Sequence, residues 1–310
     1  MGRPDITMNE CLQDATRYAD CFNTALGTTL VNPNTLIPID RIEEGNVSFP
    51  RTMAHYKKER DGIRGVRTES DILCAVVCVE NQKDIHYAQA ARHMIYDAFN
   101  YNRQLTDIRK RHEKNQNRTY QGFAPDDHLI PVITVCIYYG EDPWNAPTQL
   151  VDLMDFSAFS RRNAALWKKY IQNYRITVLD IRRMSDEQIE QMTSDLKLLF
   201  GMLKYDNDQT ALQSFIHQHE SDINKLSGDL AEAFTLYSKT KELTKHIKTY
   251  QTEGGESVNM CKAIDDMVKD GEARGKHNII IELLRDNIIS LSEAAKRLNL
   301  SEAALLEQLK

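Results

Sequence analysis

Long apolar runs, paired cysteines and a phosphate-binding glycine loop are all missing from this sequence of 310 residues. No stretch approaches the ~18 consecutive apolar residues that span a bilayer, and the first ten residues lack the apolar core of a leader. We therefore expect a cytoplasmic protein with no membrane partner. The six cysteines include no CxxC pair, which indicates reduced thiols rather than a disulfide framework or a zinc site. The absence of GxSxG and of a glycine loop between a strand and a helix argues against serine hydrolases and nucleotide-binding enzymes.

Charge is nearly balanced, with 39 Lys and Arg against 45 Asp and Glu, which argues against a protein that coats nucleic acid indiscriminately. The N-terminal half nevertheless holds two basic segments, 57–67 and 103–118, which flank its most strand-like region. Such segments usually form solvated faces, and phosphate contact is the alternative. The candidates for contact with a DNA backbone are Lys57, Lys58, Arg64, Arg67, Arg109, Lys110 and Arg111.

Helical and strand-like patterns alternate in the first 180 residues. Apolar spacing predicts helices over residues 12–26 and 84–101. Strands are predicted as a hairpin over residues 61–82 with its turn at 68–71, and as single strands over 129–139 and 174–180. This order indicates the α/β or α+β class.

The sequence after residue 185 is helical in pattern, with no strand evident. We predict a mixed core over residues 1–183, a helical subdomain over 184–252, and a hinge with a charged helix and a helix-turn-helix-like tail over 253–310. The second helix of this tail offers few cations, so we favour homo-oligomerisation over DNA reading. The apolar side chains predicted to carry that contact are Leu305, Leu306 and Leu309.

A polar triplet, Glu80-Asn81-Gln82, ends an otherwise apolar predicted strand. Because side chains alternate along a strand, Glu80 and Gln82 share one face and Asn81 points away. A divalent cation held by Glu80 needs a second oxygen ligand nearby. Asp71 lies ~30 Å away along the same strand at ~3.3 Å per residue. Folding the hairpin instead brings Asp61 opposite Glu80, within a residue or two.

Several side chains are auxiliary candidates. Asp20 borders the apolar stripe of the first helix and could add a carboxylate or position a water, although a surface acid fits the spacing equally well. Lys83 could assist only if the strand ends before it. His86 and His93 are two helical turns apart, and for both a structural hydrogen bond is favoured over phosphate contact.

A family resemblance is carried by four segments, which are Glu80 to Tyr87, His93 to Ala98, Pro131 to Gly140 with Trp144 after it, and Ile289 to Leu298. In this order they resemble the recombination-promoting nuclease / putative transposase family of the PD-(D/E)XK nuclease superfamily. The resemblance extends from about Tyr18 to the C-terminus. It implies a restriction-endonuclease-like core with a mixed sheet flanked by helices, followed by an all-helical C-terminal region.

The resemblance also implies a bacterial DNA endonuclease that depends on Mg²⁺, or on Mn²⁺, and that serves recombination, mobile elements or phage defence. Asp61 and Glu80 are carried over as catalytic metal ligands, Gln82 occupies the usual lysine position, and Asp20 is the first-helix acid. The neutral Gln82 can still hydrogen-bond a water. The alternatives are a catalytically impaired nuclease-fold protein that binds nucleic acid, and a helical oligomeric scaffold.

Overall fold

The computed structural model describes residues 3–39, 42–49, 52–114, 122–237, 241–252 and 257–308, without the side chains of 3–6, 42–49, 52–59, 241, 242, 244, 307 and 308. The chain forms two compact units, one from residues 1–218 and 232–238 and the other from 219–231 and 239–310. The predicted domain borders near 183 and 252 fall inside these units, so the three-part division stays a prediction. Within the described ranges, no helix combines the length and apolarity needed to cross a membrane.

The strands of the described residues are β1 (Leu36–Pro38), β2 (Ile42–Phe49), β3 (Thr52–Glu59), β4 (Gly62–Arg67), β5 (Leu73–Gln82), β6 (Val132–Tyr138), β7 (Thr177–Asp180), β8 (Leu226–Ser227) and β9 (Ser257–Val258). A five-stranded sheet in the order β1-β4-β5-β6-β7 forms the centre of the first unit. Its first three strands are antiparallel neighbours, and β5, β6 and β7 run parallel. Strands β2 and β3 form a separate ribbon.

The α-helices of the described residues are α1 (Arg3–Cys11), α2 (Ala15–Leu26), α3 (Gln89–Lys114), α4 (Arg161–Tyr170), α5 (Asp186–Glu190), α6 (Leu196–Tyr205), α7 (Gln209–Gln218), α8 (Glu220–Ile223), α9 (Gly228–Tyr237), α10 (Lys241–Tyr250), α11 (Met260–Arg285), α12 (Leu291–Leu298) and α13 (Glu302–Gln308). The predicted mixed sheet with flanking helices and a helical C-terminal region is confirmed. The expectation of no strand after residue 185 is wrong, because β8 and β9 pair in the second unit.

Helices cover both faces of the sheet. On one side, the hydroxyl of Tyr18 in α2 donates to the carbonyl oxygen of Val77 in β5, and we name this side the α2 face. On the other side, Tyr101 of α3 packs against a cluster that includes Ile63 and Val76, and we name this side the α3 face. Because side chains alternate along each strand, the even-numbered residues of β5 lie on the α3 face.

The predicted hairpin is formed by β4 and β5. Its turn is closed by a hydrogen bond from the backbone N–H of Asp71 to the carbonyl oxygen of Thr68. The register of β4 against β5 shifts by one residue between Val66 and Arg67. Beyond this shift the pairing is regular and ends with Gly62 opposite Val79. The end of the hairpin that lies farthest from the turn therefore carries the candidate acids.

Candidate active site

Asp61 and Glu80 lie side by side at the far end of this hairpin. Because Gly62 pairs with Val79, the next position along the ladder sets Asp61 opposite Glu80. Asp61 Oδ2 accepts a hydrogen bond from the backbone N–H of Asn81 at 2.9 Å, so its carboxylate lies against the Glu80–Asn81 peptide. The two residues are 8% and 3% exposed. The structure thus brings together the two acids that the sequence analysis pairs as metal ligands.

Both acids belong to the α3 face, because Asp61 is two residues from Ile63 and Glu80 is two residues from Cys78, and both of these lie in the cluster on that face. Cys136 is their neighbour on β6. This residue pairs with Glu80 in the parallel ladder between β5 and β6. Burial raises the pKa of the Cys136 thiol, and the charges of Glu80 and Asp61 raise it further while Arg92 lowers it. Two acids and one arginine therefore lie within electrostatic reach of the same thiol.

A buried arginine borders the pair. Arg60 has no exposed surface, and it donates to Asp97 Oδ1 and to Thr134 Oγ1, both at 3.0 Å. Tyr174 donates its hydroxyl to the other oxygen of Asp97 at 2.5 Å. The distance from the Arg60 guanidinium to Glu80 Oε1 is longer, 3.9 Å. The contacts of Arg60 with Asp97 and Thr134 are thus shorter than its distance to Glu80 Oε1. The sequence analysis missed Arg60, which has no periodic pattern to mark it.

Gln82 ends β5 on the same face as Glu80. Its side-chain amide donates to the carbonyl oxygen of Asn81 at 2.8 Å, which fixes the orientation of the amide group. Lys83 follows the last residue of β5 and is exposed. Gln82 is therefore held by the strand end, whereas Lys83 lies beyond it.

The first turns of α3 place a second arginine beside the site. Arg92 is partly exposed and donates to Gln89 Oε1 and to the hydroxyl of Tyr96, each at 3.2 Å. The guanidinium carbons of Arg92 and Arg60 lie 5.9 and 5.4 Å from the centre of the Tyr96 ring. Arg92 is thus a positioned cation that solvent can reach. From the sequence, packing or a surface position is a more natural role for Arg92 than contact with DNA. What marks it in the sequence is its position on the first helix after the strand that carries Glu80.

His93 is buried beside this arginine. Its Nε2 lies 2.9 Å from the side-chain nitrogen of Gln89. Burial lowers the pKa of His93 to about 3, and the charges of Arg60 and Arg92 act in the same direction. The imidazole is therefore neutral at physiological pH, which fits the structural role that the sequence analysis favours for it.

His86 is exposed on the loop before α3, and its Nδ1 accepts from the backbone N–H of Ala88 at 3.2 Å. Partial burial and Arg92 lower the pKa of His86. His86 and His93 do not lie on one helix as the sequence spacing suggests, because α3 begins only at Gln89.

Asp20 makes a different set of contacts. Its carboxylate accepts hydrogen bonds from the backbone N–H groups of Thr193 and Ser194 and from the Ser194 hydroxyl. These bonds anchor the segment that precedes α6. The described contacts of Asp20 are structural, and its auxiliary role in catalysis stays a prediction.

The predicted DNA contacts in the first basic segment are dispersed. Arg64 lies on the α2 face, where its guanidinium carbon is 5.6 Å from the centre of the Tyr18 ring and its Nη2 donates to Gln13. Arg67 pairs with Asp71 at the hairpin turn. Lys57 and Lys58 belong to β3, but their side chains lie outside the described residues.

The described part of the second basic segment, residues 103–114, lies in the C-terminal half of α3, and its Lys and Arg side chains from Arg109 onwards are exposed. Arg109 lies 3.9 Å from Glu113, and Arg111 lies 3.2 Å from Asp127. Lys110 is exposed between them. These three cations remain accessible to an anionic partner.

The described residues contain no group of three or more His, Cys, Asp or Glu side chains arranged to hold a metal ion. Two carboxylates nevertheless fit the donor type of Mg²⁺, which proteins commonly hold through one or two carboxylates with water and phosphate completing the shell. Asp61 and Glu80 supply such a pair.

Comparison with known proteins identifies the family. Residues 80–232 match the family model described as putative transposase, YhgA-like. The match begins at Glu80 and covers α3, β6, α4 and β7, so the family resemblance seen in the sequence is confirmed over about half of the chain. No curated protein and no solved structure matches the chain.

Proposed function

We propose that this protein is a metal-dependent DNA endonuclease that hydrolyses phosphodiester bonds. The observation that carries the proposal is the contact of the Asp61 carboxylate with the backbone N–H of Asn81, which sets two buried acids next to each other on one sheet face. The family's description as a transposase supports DNA as the substrate and a role in mobile-element movement or recombination, with phage defence as a further possibility.

Asp61 and Glu80 would hold Mg²⁺, or Mn²⁺, through their carboxylate oxygens. When bound, such an ion lowers the pKa of water and offsets charge on the phosphate that is attacked. The N–H of Asn81 holds the Asp61 carboxylate in place, since a hydrogen bond to an ionised oxygen favours one orientation. The hairpin thereby preorganises the acidic pair.

Gln82 would orient the attacking water. One N–H of its amide donates to the carbonyl oxygen of Asn81, and the amide oxygen is the group that can accept from a water. A neutral amide cannot offset the negative charge that develops during phosphoryl transfer. The proposal therefore needs a cation from elsewhere.

Arg92 would supply that positive charge. It is partly exposed, fixed by Gln89 and Tyr96, and within electrostatic reach of the same thiol as Glu80 and Asp61. A guanidinium held in advance stabilises developing charge without reorganisation during the reaction. In this proposal the charge of the usual lysine is provided by the helix that follows the strand.

A nicking assay on supercoiled plasmid tests the site. We expect cleavage that requires Mg²⁺ or Mn²⁺ and that falls by roughly 100-fold or more in Glu80→Gln and in Asp61→Asn, since each loses a charged ligand. Asp107→Asn, an exposed acid on α3, is the matched control and should cleave like the parent. Equal nicking by Glu80→Gln and the parent would reject the site.

A second candidate is a nuclease-fold protein that binds DNA without cutting it. It is favoured by the buried guanidinium of Arg60, which lies 3.9 Å from Glu80 and could serve as the permanent counter-charge of that acid. This candidate predicts salt-sensitive DNA binding and no heat of Mg²⁺ or Mn²⁺ binding by calorimetry. Heat that is present in the parent and absent in Glu80→Gln would exclude it.

A further inference from the structure

Helix α4 is exposed along nearly its whole length. Every residue from Arg161 to Tyr170 is exposed except Ala164, which is half-buried. Helices of this length are normally stabilised by burying an apolar face. This one begins with a cap, in which Ser160 Oγ accepts the backbone N–H of Asn163, and it leaves its apolar side chains in solvent.

Those apolar side chains are large and mostly aromatic. Trp167 and Tyr170 are 56% and 79% exposed, and Leu166 lies beside them on the same side of the helix. The ring of Phe159 lies 6.0 Å from that of Trp167 and 6.2 Å from that of Phe156, so three rings form one cluster. A contiguous exposed patch of this kind marks an interaction surface.

Positive charge surrounds the rings. Arg161, Arg162, Lys168 and Lys169 belong to α4, and the sequence has no Asp or Glu between residues 156 and 175. The Lys168 ammonium lies 4.9 Å from the centre of the Phe156 ring. None of the four cations forms an ion pair with another residue that the structure describes. This charge calls for a polyanion rather than an apolar protein surface.

The chain leads from this helix to the network beside the candidate active site. Helix α4 lies in the connection between the parallel strands β6 and β7. Four residues after its end, Tyr174 donates to Asp97, which also accepts from Arg60 near Glu80. The exposed helix is thus tethered to the interior of the same unit.

We propose that α4, together with Phe156 and Phe159, binds unpaired DNA. The bases would stack on the exposed rings, and the four cations would contact the phosphates. A duplex offers only its backbone to such a surface, because its bases are already stacked on one another, so we expect preference for single strands. This inference rests on the proposed function for its choice of DNA, and it names the form of DNA that the enzyme engages.

Fluorescence anisotropy with the full-length protein in EDTA measures binding when no cleavage can occur. The probes are a labelled oligothymidine strand and a mixed-sequence duplex of equal length. We expect the double substitution Trp167→Ala with Tyr170→Ala to raise the Kd for the single strand about ten-fold or more and to change the duplex Kd far less. Lys168→Glu with Lys169→Glu should reduce the slope of log K against log salt by about 0.7 for each phosphate that the protein no longer neutralises.

Matched variants separate this effect from general damage. Phe123→Ala removes another exposed ring, and Lys262→Glu with Lys276→Glu makes the same change of charge in the second unit. These variants should bind like the parent, and circular dichroism should show that every variant is folded. The nicking assay on the parent keeps the two proposals apart, because a failure of the nuclease proposal alone would appear as single-strand binding without metal-dependent cleavage.

Three results would overturn the inference. One is an unchanged single-strand Kd after substitution of Trp167 and Tyr170, and another is an equal weakening in the Phe123→Ala control. The third comes from vesicles of anionic phospholipid, because an amphipathic helix with Trp and Lys can also bind a membrane surface. If the ring substitutions abolish vesicle binding and leave DNA binding intact, the helix binds lipid.

Discussion

Arg60 is a fully buried cation, and its charge must be balanced inside the first unit. Asp97 provides the close counter-charge at 3.0 Å, and Thr134 and Tyr174 complete the hydrogen bonds around that carboxylate. A buried ion pair is costly to break because removing either partner leaves an uncompensated buried charge. Glu80 Oε1 lies 3.9 Å from the same guanidinium, farther than the Asp97 carboxylate.

The buried His93 should make the free energy of unfolding depend on pH. The pKa of His93 is about 3 in the folded protein against 6.5 ordinarily, so between these values the unfolded chain binds the extra proton. Stability should be fully present above pH 6.5 and fall as the pH drops through this window, by up to about 1.4 kcal/mol per pH unit. Urea unfolding from pH 5 to 7.5 measures this slope. His93→Gln should show a flatter profile than the parent.

His128→Gln is the control for that experiment, because His128 is exposed. It should keep the parent's slope. A parent and a His93→Gln variant with the same slope would show that the imidazole is not held neutral by its surroundings.

The positions of the charged residues in the candidate site could be predicted only in part from the sequence. Asp61 and Glu80 could be paired from the sequence because a hairpin with a short turn fixes which residues face each other. Arg60 could not be placed, since its role depends on Asp97 and Thr134, which come from two other elements of the chain. Arg92 shares α3 with Tyr96, but helical spacing does not show that this pair faces Arg60.

The N-terminal region forms two helices, where the sequence pattern predicts one. The sequence pattern favours Asn9 as the cap of a helix ending at Gly27. The structure has two helices, with Asp14 accepting from the N–H groups of Thr16 and Arg17 at the start of α2, and Gly27 ending it with a φ of 62°. Asn9 instead belongs to α1 and accepts from the Asn81 side chain at 2.7 Å. Asn9 and Asp14 are both suitable N-cap residues by type. In the structure Asp14 caps α2, and the contact of Asn9 with Asn81 gives Asn9 a different role.

Other element boundaries differ from the predictions for similar reasons. The predicted helix from Asp84 begins at Gln89 and continues to Lys114, because its polar second half has no apolar stripe to reveal it. The β2–β3 ribbon lies where the sequence pattern indicates a loop. Helix α11 runs through Gly271 and Gly275, which in the sequence resemble interruptions; a glycine lowers helix propensity but does not end a long helix.

Asp20 should act as a structural link between α2 and the segment before α6. In Asp20→Ala, the buried N–H of Ser194 and its neighbouring donors lose their acceptor, and we expect the free energy of unfolding to fall by about 3 kcal/mol. Chemical denaturation measures this change. Asp14→Ala removes another acid at the start of the same helix, and as a lost cap it should cost only about 1 kcal/mol.

The nicking rate of the folded Asp20→Ala protein separates the two roles. At a temperature where the variant is folded, a purely structural Asp20 leaves that rate at the parent's level. A large drop in rate without unfolding would instead support the auxiliary catalytic role predicted from the sequence.

The two units of the molecule are interleaved in sequence. Residues 232–238 belong to the first unit although they follow part of the second. Tyr237 packs its ring 4.6 Å from that of Tyr139, and its carbonyl oxygen accepts from Arg182. A chain that stops at residue 218 therefore lacks part of the first unit's own packing.

Truncated chains test this interleaving. We expect a chain of residues 1–252 to unfold thermally at a clearly higher temperature than one of residues 1–218, because only the longer chain retains Phe234 and Tyr237, both nearly buried. Differential scanning calorimetry gives both values. Equal melting temperatures would show that α9 adds nothing to the first unit.

The C-terminal tail revises the surface expected for self-association. The prediction that Leu305 faces a partner is wrong, because this side chain has no exposed surface and packs with Ile280, Ala294 and Ala295. Leu306 is 49% exposed, and Leu309 lies outside the described residues. Homo-oligomerisation through these helices stays a prediction.

The strand β5 has one extra residue relative to β4, and the register beyond it determines which side chains face the candidate site. Ala75 pairs with Val66 but Leu73 pairs with Arg67, so β5 carries Cys74 as an extra residue. Between Cys74 and Glu80, inserting or deleting a single residue would turn the acid towards the α2 face; an insertion would put Val79 in its place, and a deletion would put Asn81 there. A change of two residues in this stretch of β5 would leave Glu80 on the α3 face, whereas a change of one would not.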